Sequence, residues 1–362
     1  MTATTPSYSL TERCLHWLAL EPALVRQLAF DLERGFSRPP RTAENDPAGR
    51  AVYVCGLARS GTTLVLQLLD QIESFRSLSY RDMPFPLAPN LWRRISSRAS
   101  RTAVAVPRVH GDGMLVDFDS PEGFEEVFWR TFTRYSTRNG VLSAAMPSSD
   151  AIAAFADYRA LVANPRGHAG GGMRRRYLSK NNNNLLRLRW LCQEADATVL
   201  LVFRHPAAAA RSMHATHLRF AAQQAQDGFM RRYMGWLCHY EFGLDHKPFE
   251  FAAAAMDKRL KPAQPDYWLA YWCAVHEHLL QVEGPALRLL DYDALCQSPA
   301  VVLSALFDAI DIRANCDSRV SQVKLPRPPS EAGFDSALLA RAAATQRALQ
   351  ARADNIPTKS ND

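Results

Sequence analysis

Within the eight residues Gly56–Thr63 the chain places two glycines, one arginine (Arg59) and three hydroxyls (Ser60, Thr62 and Thr63). Val52, Tyr53 and Val54 before them read as a short buried strand. Leu64, Val65, Leu68, Leu69 and Ile72 after them recur at i, i+1, i+4, i+5 and i+8, which is one face of a helix. A glycine loop between a strand and a helix start is a ready anion site. The first N–H groups of the helix lack intrahelical partners, and the helix dipole favours negative charge there. The nucleotide phosphate loop G-x-x-x-x-G-K-[ST] is matched at Gly56 and Gly61 but not at its lysine, where Thr62 stands. In nucleotide hydrolases that lysine grips the β/γ-phosphates and the next hydroxyl binds Mg²⁺. The chemistry expected here is a phosphate cradled by backbone N–H groups and approached from another side by Arg59.

Arg59-Ser60-Gly61-Thr62-Thr63 after a strand resembles the 5′-phosphosulfate loop of sulfotransferases, which use 3′-phosphoadenosine-5′-phosphosulfate (PAPS) and release phosphoadenosine phosphate (PAP). The family's second signature is an arginine at a strand end with a serine eight residues later. Here the strand pattern Thr198–Phe203 is followed by Arg204, Pro206 and Ser212. The resemblance implies that Arg204 and Ser212 hold the 3′-phosphate, a task suited to a bidentate guanidinium fork. Tyr177–Lys180 reads as a strand ending on a lysine, and in the family such a lysine lies beside the bridging oxygen of the leaving phosphate. Members commonly continue with a small polar residue and proline; here Asn181–Asn184 follows instead.

The base that would take the acceptor proton has two candidates. Asp82, after the second strand pattern Phe75–Leu78, occupies about the place where tyrosylprotein-type sulfotransferases carry an acidic base. His110, in the turn His110-Gly111-Asp112-Gly113, has an unperturbed pKa of ~6.5, suited to neutral pH. Position favours Asp82 and chemistry favours His110.

The remaining elements must carry these residues. Cys14–Leu32 reads as an amphipathic helix and residues 37–50 as a Pro- and Arg-rich linker. Leu91–Val106 is a basic helix face, and Ser120-Pro121 reads as a helix start. Ala151–Val162 is a short helix, Asn184–Cys192 another, and Met213–Phe251 a helical insertion on the acceptor side. Tyr267–Val282 reads as a core helix and Leu287–Tyr292 as the last strand. Ser298-Pro299 opens a helix to Ile310, and Ser336–Ala353 is an Ala-rich helix. His214 and His217 have metal-like spacing, but no other ligand accompanies them and no metal is expected.

The 362 residues are 47% hydrophobic, which excludes global disorder, and the net charge of +7 suits a polyanionic small ligand. The arginines are dispersed and no RNA-binding signature occurs, so nucleic acid is not an expected partner. Seven scattered cysteines without a C-x-x-C pair fit reduced thiols in a cytoplasm. No stretch reaches the ~18 apolar residues of a membrane span, so the chain resembles the soluble bacterial sulfotransferases more than the anchored Golgi type.

The expected architecture is a single α/β domain over 1–362, with a central parallel sheet flanked by helices in a P-loop-like fold. Its core is 51–310, with a helical insertion at about 213–285, an N-terminal helix and linker over 1–50, and a connector and C-terminal helix over 324–362. The expected reaction is in-line transfer of a sulfuryl group from PAPS to a hydroxyl or amine. A small molecule, carbohydrate, lipid or peptide could be the acceptor. Arg59, Ser60, Gly61, Thr62, Thr63, Arg204 and Ser212 would bind the donor. The rival readings are a P-loop kinase or hydrolase, and a PAP-binding module without chemistry.

Overall fold

A computed structural model describes residues 8–37, 50–96, 106–107, 115–116, 120–163, 175–326 and 328–354. At its centre is a five-stranded sheet of β1 (Ala51–Cys55), β2 (Phe75–Arg76), β3 (Arg176–Lys180), β4 (Ala197–Phe203) and β5 (Leu287–Asp291). The strands run parallel in the order β2-β3-β1-β4-β5. The register sets Val52 beside both Leu178 and Thr198, so β1 is the central strand.

Both faces of the sheet are covered, which is why β1 and β4 are buried along their whole length and almost wholly apolar. Tyr53, Cys55, Val199, Leu201 and Phe203 point into one core. It is shared with α2 (Ala23–Ser37), α5 (Glu126–Phe132), α6 (Ser149–Ala163) and α8 (Pro265–Leu279). Val52, Val54, Leu200 and Val202 point into the other, shared with α3 (Thr62–Asp70) and α10 (Pro299–Ala309). The alternation along each strand is the two-residue period of the pleat.

Other helices include α1 (Leu10–Leu20), α4 (Pro89–Ser96), α7 (Pro206–Gln226), α9 (Tyr292–Gln297) and α11 (Ser336–Asp354), with the nine-residue helix Gly228–Trp236 after α7 and shorter turns elsewhere. Three expectations change. The N-terminal helix is two helices, because Pro22 follows Glu21 and its ring cannot continue the first. Pro121 opens no helix; it bridges antiparallel to Ser79, and the helix starts at Glu126. The insertion is helical only to Trp236. Residues 237–249 then run irregularly, with Cys238 at φ 58° and Gly243 at φ 84°. The linker residues 38–49 and the basic run 97–105 lie outside the described residues.

Candidate active site

The glycine loop leaves the carboxyl end of β1 and enters α3, whose capping residue Gly61 has φ 97°. That left-handed conformation favours glycine. The site also forbids a side chain: a Cβ on Gly61 would lie 2.1 Å from Tyr292 Cδ2. Thr62 and Thr63 occupy the first turn of α3, with Thr62 buried and Thr63 half-buried. Ser60 is buried, and its hydroxyl donates to the Leu57 carbonyl at 2.6 Å, which closes the loop on itself.

Arg59 also has a left-handed backbone, φ 73°. For a residue with a Cβ this conformation costs roughly 1–2 kcal/mol, and such residues cluster at functional sites. The turn lets Arg59 Nε donate to Ser212 Oγ at 2.9 Å. Ser212 lies on α7, which follows β4 and begins at Pro206, where a missing N–H costs nothing. The hydrogen bond spans 153 residues of sequence. It brings together the two stretches that the sequence pairs.

Arg204, at the end of β4, sets its guanidinium over the Tyr292 ring, 5.1 Å from the centroid. Its Nε is buried and has no hydrogen-bond partner among the described residues. A buried guanidinium N–H left unpaired is costly, and an anion in the crevice would satisfy it. Tyr292 therefore touches both motifs: its edge faces Gly61 and its face carries Arg204. Burial pushes its phenol up to about 12, so it stays neutral.

Lys180 closes β3, beside β1, and is 7% exposed. Its ammonium lies 3.6 Å from Glu122 Oε1. Gly123 packs against the same residue, since a Cβ there would sit 2.6 Å from the Lys180 carbonyl oxygen. A cradle of backbone N–H groups, two arginines and a lysine thus gathers where three adjacent parallel strands end, the crevice in which α/β sheets bind ligands.

Residues 51–247, more than half of the chain, match the profile of the sulfotransferase family. This chain is a member of the sulfotransferase family. No curated protein matches it with significance. Among solved structures it is similar to a sulfotransferase from Mycobacterium avium, at 15% identity and a TM-score of 0.48, over 98% of this chain and 88% of that one. A Mycobacterium tuberculosis sulfotransferase aligns at 13% identity and a TM-score of 0.43, over 91% and 82% of the two chains. One from Alicyclobacillus acidocaldarius aligns at 13% and 0.38, over 84% and 96%.

The asparagine run after Lys180 in this sulfotransferase is a built structure. The Asn181 side chain caps the turn Asn182–Arg187 by accepting from Asn183 N at 3.0 Å, and all four asparagines are buried. Beneath it Glu125, 1% exposed, accepts from Trp129, Tyr177, Ser179, Asn181 and Asn184. Glu126 takes a bidentate Arg187 fork at 2.8 and 2.9 Å and a further bond from Asn181 at 2.7 Å. Buried charges persist when paired or fully hydrogen-bonded, and here they fix the backbone on either side of Lys180. Asn182 reaches outward, accepting from Thr62 Oγ1 at 3.4 Å and donating to Glu241 Oε1 at 3.2 Å. The irregular end of the insertion is thereby tied to the phosphate loop.

The base candidates fare differently. His110 lies outside the described residues. Asp82 is completely buried, and Arg93 engages both of its oxygens, at 2.6 and 2.9 Å. Its Oδ2 also accepts from Ser79 N at 2.8 Å. Both oxygens of Asp82 are thus engaged, and the carboxylate staples the turn after β2 to α4. His214 and His217 do not converge on a common ligand: His214 Nε2 lies 2.9 Å from the Ala263 carbonyl, and His217 Nδ1 accepts from Gly243 N. Sequence reasoning missed Glu122, Glu241 and Tyr292. Glu122 and Glu241 carry no local signature, and Tyr292 reads as the last residue of a core strand.

Proposed function

We propose that this sulfotransferase moves a sulfuryl group from PAPS to a hydroxyl or amine acceptor by in-line displacement. The observation that carries the reading is the Arg59–Ser212 hydrogen bond, because it joins the loop suited to a phosphosulfate with the motif suited to a 3′-phosphate. The unpartnered Arg204 Nε beside it asks for an anion. In this reading the N–H groups at the start of α3, with Ser60, Gly61, Thr62 and Thr63, hold the 5′-phosphosulfate. Arg204 and Ser212 hold the 3′-phosphate, and Arg59 stands between them. Lys180 neutralises charge that builds on the leaving phosphate, where a preorganised cation is worth most. Fixed cations would take the part that Mg²⁺ plays in kinases.

Thr62, in the place of the phosphate-loop lysine, speaks against a kinase or hydrolase. The acceptor is of open class: small molecule, carbohydrate, lipid or peptide. The test is a binding and turnover pair. PAP should bind tightly and Mg-ATP weakly, and ³⁵S-labelled PAPS should yield labelled product with a panel of phenols, alcohols, amines and sugars. Tight Mg-ATP binding without PAP binding would reverse the reading. PAP binding with no transfer to any acceptor would leave a binding module.

A further inference from the structure

The edge strand β2 ends on Arg76, whose register partner on β3 is Tyr177. The pleat that sends Phe75 into the core shared with α3 turns Arg76 to the opposite face, where Tyr177 also points and α6 packs. Arg76 is 6% exposed, and its Nη1 and Nη2 are both buried with no hydrogen-bond partner among the described residues. Among those residues it is the one guanidinium with both terminal nitrogens in that state. Its charged neighbours do not cancel it. Arg93 and Arg175 repel it, while Asp82 and Asp70 attract it. Asp82 already has both oxygens engaged by Arg93. The Asp70 carboxyl accepts from Ser77 N, and burial pushes its pKa up to about 6. Burial pushes Arg76 down to about 10, so it keeps its charge at neutral pH. A buried cation without a counter-charge is costly, and a guanidinium presents a fork that fits an oxyanion. Arg93, with a side chain 35% exposed, connects the cluster to solvent.

We infer that Arg76 and Arg93 form a second anion site, apart from the phosphate loop, that takes a small oxyanion group: a carboxylate, a phosphate or a sulfate. The phosphate loop leaves β1, two strands from β2, which is about 10 Å across the sheet. Tyr177, level with Arg76, precedes Lys180 by three residues, about 10 Å along the strand. A donor seated on the loop therefore leaves Arg76 unfilled. Two sources supply such a group. An acceptor can carry it as an acidic end, about 10 Å or more from the nucleophile that meets the donor. A free inorganic ion can bring it without any part in the transfer. From either source the bound charge relieves the repulsion between Arg76 and Arg93 and so holds α4 against the edge strand. The site itself is independent of the PAPS reading; its use by an acceptor rests on that reading.

The test uses the full chain with saturating PAP, so that the phosphate loop is filled. Millimolar sodium sulfate or phosphate is compared with sodium chloride at equal ionic strength, and Tm is read by scanning fluorimetry. Sulfate is also a general stabiliser, so the quantity that counts is the difference between wild type and Arg76→Met. Sulfate should raise the wild-type Tm by a few degrees beyond chloride, and Arg76→Met should lose that excess. In chloride Arg76→Met should be at least as stable as wild type, because a buried charge without a partner is removed. Arg76→Lys, which keeps the charge and loses the fork, should retain part of the response. Turnover distinguishes the sources, with 4-hydroxyphenylalkanoates of graded chain length set against their methyl esters. If the acceptor carries the anion, the longer acids outrun their esters, and Arg76→Met lowers that acid-to-ester ratio of kcat/KM by about 10-fold or more. A sulfate response without acid preference assigns the site to a free ion. Equal sulfate and phosphate responses in wild type and Arg76→Met would overturn the site. So would an Arg76→Met much less stable than wild type in chloride, since Arg76 would then already have its counter-charge. A wild type that does not bind PAP defeats the donor reading alone; the sulfate difference between wild type and Arg76→Met still decides the anion site.

Discussion

Gly61→Ala isolates the contact on which both phosphate motifs depend. The new Cβ would lie 2.1, 2.4 and 2.9 Å from Cδ2, Cε2 and Cγ of Tyr292. Carbon atoms pack at about 3.5–4.0 Å, so the ring must retreat by about 1.5 Å. Forcing such a shift in a packed site costs about 1–3 kcal/mol. The left-handed backbone at φ 97° adds roughly 1–2 kcal/mol for any residue with a Cβ. The combined destabilisation is about 3 kcal/mol, visible by scanning calorimetry as a fall in Tm of several degrees. The Tyr292 ring also carries the Arg204 guanidinium. Its displacement should weaken PAP binding by about 10-fold or more, since cation–π support alone is worth about 0.5–2 kcal/mol. Adding Tyr292→Ala to Gly61→Ala removes the collision and should recover the steric part of the stability, but not PAP affinity. Wild-type Tm and PAP affinity in Gly61→Ala would refute the reasoning, as would a double variant with no recovery of stability.

Four further outcomes are expected. Arg204→Ala should weaken PAP strongly and adenosine 5′-phosphosulfate, which lacks the 3′-phosphate, much less; equal losses would remove Arg204 from the 3′-phosphate. Lys180→Ala should lower kcat by about 10²–10³-fold with a smaller change in PAP affinity, and the opposite split would make it a binding residue. Asp82→Asn should lower Tm, because it breaks the ion pair of the buried Asp82 with the partly exposed Arg93, at a cost below the ~3–5 kcal/mol of a fully buried pair because solvent reaches the arginine. Its lost activity should return on cooling or with stabilising osmolyte, whereas a lost base would not be rescued. His276 is fully buried, its Nε2 has no hydrogen-bond partner among the described residues, and burial lowers its pKa to about 4. The unfolded chain therefore binds more protons between pH ~6.5 and ~4, and stability falls as pH drops through that window. At pH 5 the loss is about 2 kcal/mol from this group, so the urea midpoint of His276→Phe should fall less between pH 7 and pH 5 than that of wild type.

Much of this was legible where physics is local. Gly56 and Gly61 bracket a loop whose flanks show a strand and a 3.6-residue period, Arg204 terminates an apolar run that reads as a buried strand, and Lys180 ends the short strand pattern Tyr177–Lys180. The Pro22 break was equally local and was read through, because apolar residues recur on both sides of it. Glu122 was hidden for a different reason. Lys180, with which it pairs, is 58 residues away (180 − 122), and Ser120-Pro121 beside it mimics a helix start. Its position follows from a bridge to Ser79 that no local pattern encodes. The run Asn181–Asn184 looked like a departure from the family's loop. Its role follows only from Glu125 and Glu126, carboxylates that in sequence resemble a solvated acidic face.

The strand order has a consequence for how the chain is made. β1 is central, yet the neighbours that pair with Val52, Leu178 and Thr198, follow it by 126 and 146 residues (178 − 52 and 198 − 52). At a synthesis rate of about 5–20 residues per second, the wholly apolar Ala51–Cys55 waits about 7–29 seconds for its second partner. During that interval the phosphate loop has no Ser212 to bond and no Tyr292 to cover Gly61, so the donor has no completed site to bind. A ligand that binds the finished site can stabilise it by mass action, but it cannot guide the nascent chain. Protection of the unpaired central strand during synthesis falls to whatever holds the chain as it emerges.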